Sequence, residues 1–142
     1  MKMLYCLFAL VLFGCATVNP DPPLPDNIRI VPPQSAPADA AVFSGQWVGQ
    51  WDIGRNSKLV VEEIDYPKVV AIYSVGAYRA NASDNGMPGW NRLKGEISNG
   101  FLILKTNSGA TITYKLQPDG TLAGTYERGS FISYVIMNRV AP

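Results

Sequence analysis

The sequence predicts an all-β protein, an eight-stranded antiparallel meander barrel preceded by a signal peptide and a proline-rich linker. Three observations carry that expectation. Residues 43–53, FSGQWVGQWDI, alternate with a period of two: Phe43, Gly45, Trp47, Gly49, Trp51 and Ile53 fall on one face, and Ser44, Gln46, Val48, Gln50 and Asp52 on the other. That is the period of a half-buried strand, not of a helix. Seven further short segments with strand character follow, separated by short turns, and none has a sustained 3.6-residue period. Glycine is abundant, with 13 residues, and only 16% of the chain is charged, a composition suited to tight turns around a β-rich core.

Taken in order, the chain begins with an address. Met1-Lys2 supplies one positive charge, residues 3–13 form an uninterrupted apolar run, and Gly14-Cys15 follows. These are the n-region, h-region and small-residue end of a secretory signal. The run is too short to cross a bilayer as a helix, which needs about 20 residues. Leu12-Phe13-Gly14-Cys15 resembles the lipobox of bacterial lipoproteins. The resemblance implies cleavage after residue 14, a palmitate-type lipidation on Cys15, and, with Ala16 rather than an aspartate next, sorting to the outer membrane facing the periplasm. Phe13 is bulkier than the usual occupant of its position. The competing reading is an ordinary cleaved signal with a chance cysteine. Cys6 lies within the leader, so Cys15 is the single cysteine of the mature chain, and the folded domain has no thiol for a disulfide, a metal or redox chemistry. Such a domain depends on its core for stability.

Residues 15–41 read as a lipidated cysteine and a tether. Pro20, Pro22, Pro23, Pro25, Pro32, Pro33 and Pro37 lie here, seven of the chain's 11 prolines. Proline removes a backbone donor and favours extended polyproline II, so a free tether of this length would reach roughly 80 Å. Ile28-Arg29-Ile30-Val31 is its one apolar island. It either adds to a sheet edge, docks on a partner, or is a sticky patch in a disordered linker.

The barrel domain is assigned to residues 42–142. Residues 43–53 form its first strand and its seam; two fully buried tryptophans, Trp47 and Trp51, would contribute roughly 4–6 kcal/mol each as an upper estimate. Residues 54–57 turn the chain. Strands are expected at 58–65 and 68–75, split by Tyr66-Pro67; both are rich in β-branched residues. Residues 76–89 are the longest stretch without strand character. A fourth strand, 90–97, turns Leu93, Gly95 and Ile97 one way and Arg92, Lys94 and Glu96 the other. Asn99-Gly100 is a hairpin signal. Strands follow at 101–106, 110–116, 121–126 and 131–139, with Ala110, Ile112, Tyr114 and Leu116 facing inward. Sequential hairpins give antiparallel neighbours, and closure removes exposed edges. The alternative architecture is an open β-sandwich.

Gly45-Gln46-Trp47 near the start of the first strand is similar to the glycine-x-tryptophan signature of calycins, the superfamily of lipocalins and avidins. In lipocalins a basic residue near the end of the last strand packs over that tryptophan, and Arg139 stands at the matching place. The resemblance implies an eight-stranded barrel with a structural role for Trp47 and Arg139. The chain lacks the helix that lipocalins carry after the barrel, and it is shorter than most of them.

The chemistry points to binding. There is no histidine, so metal sites are left with oxygen ligands alone, and Asp84-Asn85-Gly86 and Asp119-Gly120 read as turns. No G-x-S-x-G elbow or P-loop is present. Glu62, Glu63 and Asp65 are the one carboxylate cluster; on a regular strand Glu62 and Glu63 point to opposite faces and read as a solvated strand end. Loss of Lys2 with the leader takes the 12 basic residues to eleven, against 11 acidic, and zero net charge argues against nucleic acid and against a polybasic grip on lipid. No cofactor, metal or enzymatic activity is expected. The loop at 76–89 carries Tyr78, Arg79 and Met87 and leads into Trp90. It is longer than a hairpin needs, as binding loops often are. Tyr78 and Trp90 are candidate aromatic contacts of a rim over the barrel mouth, with Arg92 near enough to engage an anion; alternatively Tyr78 and Trp90 pack the barrel end. Tyr73, Tyr114, Tyr126 and Tyr134 are expected to line the core. Two functions follow: a lipid-anchored envelope barrel that binds a small apolar or amphiphilic ligand without catalysis, or a protein-interaction module, an inhibitor or envelope assembly accessory, whose interior is filled.

Overall fold

The computed structural model of the protein describes residues 21–78 and 86–142. The expected leader, the lipobox-like segment with Cys15, and Arg79 lie outside the described residues. After a single helical turn, α1 (Ala38–Ala41), eight strands follow: β1 (Gly45–Trp51), β2 (Asn56–Asp65), β3 (Lys68–Val75), β4 (Gly89–Ser98), β5 (Phe101–Lys105), β6 (Thr111–Leu116), β7 (Leu122–Arg128) and β8 (Phe131–Arg139). Each pairs antiparallel with the next, and β8 pairs with β1, so the meander closes into a barrel. The open sandwich is excluded, because Trp47 stands opposite Arg139 and Trp51 opposite Val135 across the closing seam.

The turns obey their sequences. Asn99 and Gly100 both take positive φ, 51° and 79°, the conformation that a two-residue hairpin matching the right-handed strand twist demands. Alternation then fills the interior. Trp47, Leu59, Leu102, Leu104, Ile112, Tyr114, Leu122 and Met137 are all fully buried in one cluster. Tyr134 does not join them. In β8 the inward row is Ser133, Val135 and Met137, which turns Tyr134 outward and leaves it 57% exposed.

The two ends of the barrel differ. The connections β2–β3, β4–β5 and β6–β7 lie at the end where the chain enters and leaves. Ala40 of α1 and Phe43 are buried there, and Trp47 Nε1 donates to Phe43 O at 3.0 Å. The Arg139 guanidinium carbon lies 4.1 Å from the Trp47 ring centroid, and Arg139 donates to Ser44 O at 2.7 Å and to Val42 O. This end is closed. The connections β1–β2, β3–β4, β5–β6 and β7–β8 ring the other end, which is the mouth.

Residues 21–37 form no strand, as their prolines require, yet they are not the free tether their composition predicts. They run as a strap along the outer face of β2, β3 and β4. Asp21 pairs with Lys58 at 2.6 Å, Ser74 Oγ donates to Pro23 O, Arg92 Nη2 donates to Asn27 Oδ1 at 3.2 Å, and Val31 N donates to Glu62 O at 2.7 Å. Val60 and Ile72 stand opposite each other between these contacts, pointing away from the core cluster, and both are 0% exposed. The strap therefore covers a second apolar layer outside the barrel. Its anchor point is a β-bulge: the β2–β3 register shifts between Val61 and Glu63, which leaves the Glu62 carbonyl to accept from the strap.

Candidate functional site

A cup of about 510 Å³ opens at the mouth, within the range of small-molecule sites. Its walls come from the mouth ends of β1, β3, β4, β7 and β8 and from the β1–β2, β3–β4 and β5–β6 connections. Trp51, the last residue of β1, forms the floor with 3% of its surface exposed. The rings around it meet edge to face: Trp51 and Tyr73 at 6.5 Å between centroids, Trp51 and Tyr126 at 6.0 Å, and Tyr126 and Phe131 at 6.0 Å. That geometry is the one favoured by the ring quadrupoles. Below Trp51 the barrel is filled, so the space is a shallow cup over a solid core and not a through-cavity.

Polar groups are few and placed at the rim. Arg55 Nε donates to Gly76 O at 2.8 Å and Arg55 Nη2 to Met87 O at 2.7 Å, so this guanidinium clips together the two ends of the β3–β4 connection. Its carbon also lies 5.9 Å from the Tyr78 ring centroid. Arg128 ends β7 on the opposite wall. Among the described residues the charged side chains of the lining are Arg55 and Arg128, and the nearest carboxylate, Asp52, accepts a hydrogen bond from the lining Ser133; the two guanidiniums suit an electron-rich or anionic guest. Deeper in, burial raises the Tyr73 phenol above its usual pKa and keeps it protonated. The Trp51 indole N–H lies beside it without reaching hydrogen-bond geometry, and is a buried donor with no partner among the described residues.

The structure separates the three residues singled out for binding. Tyr78 lines the cup. Trp90 and Arg92 occur in β4 on its outer face, where Trp90 is 40% exposed. Arg92 sits 5.9 Å from the Trp90 ring centroid and is committed to Glu62 through Nε–Oε2 at 2.7 Å and Nη2–Oε1 at 3.2 Å. Following the long loop suggests the rim for both, but strand alternation sends Asn91, not its neighbours, into the mouth.

The carboxylates also depart from expectation. The bulge in β2 brings Glu62 and Glu63 to one surface hollow beneath Asn27 and Arg29, and Glu62 is buried. Its desolvation works to raise the pKa, but the hydrogen bonds from Arg92 and from the Arg29 amide outweigh it and hold the carboxyl below its ordinary value. It is a structural clamp for the strap. The available signal was the pair of continuous apolar runs, Leu59-Val60-Val61 and Val69-Val70-Ala71-Ile72, since strands covered on both faces lose their alternation. Among the described residues no group of three or more histidine, cysteine, aspartate or glutamate side chains is arranged to hold a metal ion.

The fold defines a small closed antiparallel β-barrel, of a shape compatible with a calycin-like domain. No protein family, no curated protein and no solved structure matches the chain.

Proposed function

We propose that this is a lipid-anchored, non-enzymatic envelope protein whose barrel mouth binds a small amphiphile. The observation that carries the reading is the aromatic cup of about 510 Å³ with Arg55 and Arg128 at its rim. An apolar, preferably planar, body would stack on Tyr73, Tyr126 and Phe131. An acceptor or anionic head would meet the arginines. Cys15 is the anchor, carried by the lipobox resemblance and by its being the single cysteine after the leader, and the outer membrane facing the periplasm is the proposed location.

Native mass spectrometry of the full-length protein extracted from membranes tests the ligand. A small molecule that leaves on unfolding supports the cup; a mass equal to the acylated chain alone, with no uptake of added amphiphiles, overturns it. The filled core below Trp51 favours one second reading, a protein-contact module, for which the same experiment would return a stoichiometric protein. Cys15→Ser tests the anchor separately: loss of acyl labelling and release from membranes is expected, and unchanged retention rejects it.

A further inference from the structure

We infer that the outer face of β7, β8 and β1 rests on the lipid surface itself, laying the barrel on its side beside its anchor. The inference depends on the anchor reading and adds an orientation to it.

The outside of the barrel divides into three sectors. The first, over β2 and β3, is covered by the strap. The second, across the outer faces of β4, β5 and β6, carries Arg92, Lys94, Glu96, Lys105 and Lys115. The third is different. In β8 Ile132, Tyr134 and Ile136 point outward in a row and are 48%, 57% and 55% exposed. Their flanking outward neighbours are Thr125 and Ala123 on β7 and Gln50 and Val48 on β1. Among the described residues the charges on this face are Glu127 and Asp52 at its mouth edge, Asp52 donating its amide to Tyr134 O at 2.8 Å, and Asp21 with Lys58 at its border. A face with its charges confined to the edges and a central row of large apolar side chains marks a contact surface.

The length of the anchor selects the occupant. The strap holds Asp21 on Lys58, and Asp21 and Pro22 share a surface hollow with Val48, Gln50 and Asn138, which borders this third sector. Cys15 lies six residues before Asp21, and six residues span about 22 Å even when fully extended. The strap has taken up the rest of the expected reach, so the barrel is held against the membrane and not away from it. The sector beside the strap's origin is the one that meets the surface. Its chemistry fits that position: isoleucines offer apolar area to the headgroup–acyl boundary, and tyrosine is favoured at such interfaces. With zero net charge on the mature chain, the contact needs no anionic lipid.

The test uses the mature lipidated chain, in which an added cysteine is the sole free thiol. Tyr134→Cys and Lys105→Cys are each labelled with an environment-sensitive fluorophore. The proteins are reconstituted in vesicles of phosphatidylethanolamine and phosphatidylglycerol, or of phosphatidylcholine alone, carrying a shallow spin-labelled lipid quencher. The label at position 134 is expected to be blue-shifted and quenched several-fold more than that at 105, equally in both lipid mixtures. Equal quenching at the two positions overturns the inference, while acyl labelling that persists in Cys15→Ser overturns the anchor on which it rests. Cross-linking between copies through Tyr134→Cys, with no quenching there, assigns the face to a second copy of this chain and also overturns it.

Discussion

Tyr114 on β6 stands directly opposite Gly124 on β7, and the ring occupies the space a side chain at 124 would need. A β-carbon placed on Gly124 would lie 2.8 Å from two carbons of the Tyr114 ring and 2.6 Å from Val135 Cγ1. Tyr114 is fully buried, so the ring has nowhere to retreat. Gly124→Ala is expected to lower the unfolding free energy by about 1–3 kcal/mol, the usual effect of overpacking a closed core. Gly89→Ala, where nothing lies within 4 Å of the added carbon, is the control. Denaturant melts that leave both variants equal to the parent protein would contradict this account.

The same tyrosine carries a cost. Its hydroxyl is buried with no partner among the described residues, and burial pushes its pKa well above the usual phenol value. An unpaired buried hydroxyl loses its water without a replacement. Tyr114→Phe keeps the ring on Gly124 and removes that loss. Stability is expected to rise by roughly 1 kcal/mol, read as a higher denaturation midpoint with an unchanged slope. A fall in the midpoint would mean that the hydroxyl is bonded after all.

How much of this was legible in the sequence depends on the range of the physics. The eight strands follow from two-residue alternation and from glycine-rich turns, both local, and their observed limits differ from the expected ones by two residues or fewer. The mouth was harder. Tyr73 and Tyr126 are inward residues in any register, but their meeting over Trp51 depends on closure of β8 on β1, which no local pattern encodes. Trp90 and Arg92 adjoin the long loop in sequence, but strand parity turns both away from the mouth. The strap failed for a different reason. Proline content forbids regular structure but not contact: the bulge at Glu62 offers acceptors to the amides of Arg29 and Val31.

At the closed end, Arg139 joins β8 to the segment before β1 by its stacking on Trp47 and by bonds to two carbonyls. Arg139→Ala removes all three contacts and is expected to cost about 1–2 kcal/mol, modest because the arginine is exposed to water. Arg139→Lys keeps the charge but not the planar fork, so it should recover only part of the loss. Thermal unfolding with Trp47 fluorescence as the probe checks both. Full recovery by lysine would assign the effect to charge alone.

The strap is predicted to respond to acid. The Glu62 carboxyl is held below its ordinary value of 4.5 in the folded protein. A depressed carboxylate contributes stability that is fully present above the unfolded value and is lost as the pH falls through the folded one. Hydrogen exchange at the Arg29 and Val31 amides should therefore accelerate below pH 4.5 beyond the intrinsic trend. In Glu62→Gln that extra acceleration should vanish, with weaker protection at neutral pH because the ion pair to Arg92 is gone. Identical acid profiles in the two proteins would remove Glu62 from the role of clamp.

The cup makes a prediction that separates its two chemistries. Anilinonaphthalene sulfonate offers a planar apolar body and an anion, and phenylnaphthylamine offers the body alone. Arg128 ends β7 at the rim, exposed to water, so its attraction for the sulfonate is screened; Arg128→Ala should weaken that probe roughly three- to tenfold and leave the neutral one unchanged. Phe131 contributes wall area and an edge contact to Tyr126 at 6.0 Å, so Phe131→Ala should weaken both probes by about tenfold. Fluorescence titrations of the two variants against the parent protein read these ratios directly. If Phe131→Ala binds both probes as tightly as the parent, the probes are held elsewhere and the mouth is not the binding site.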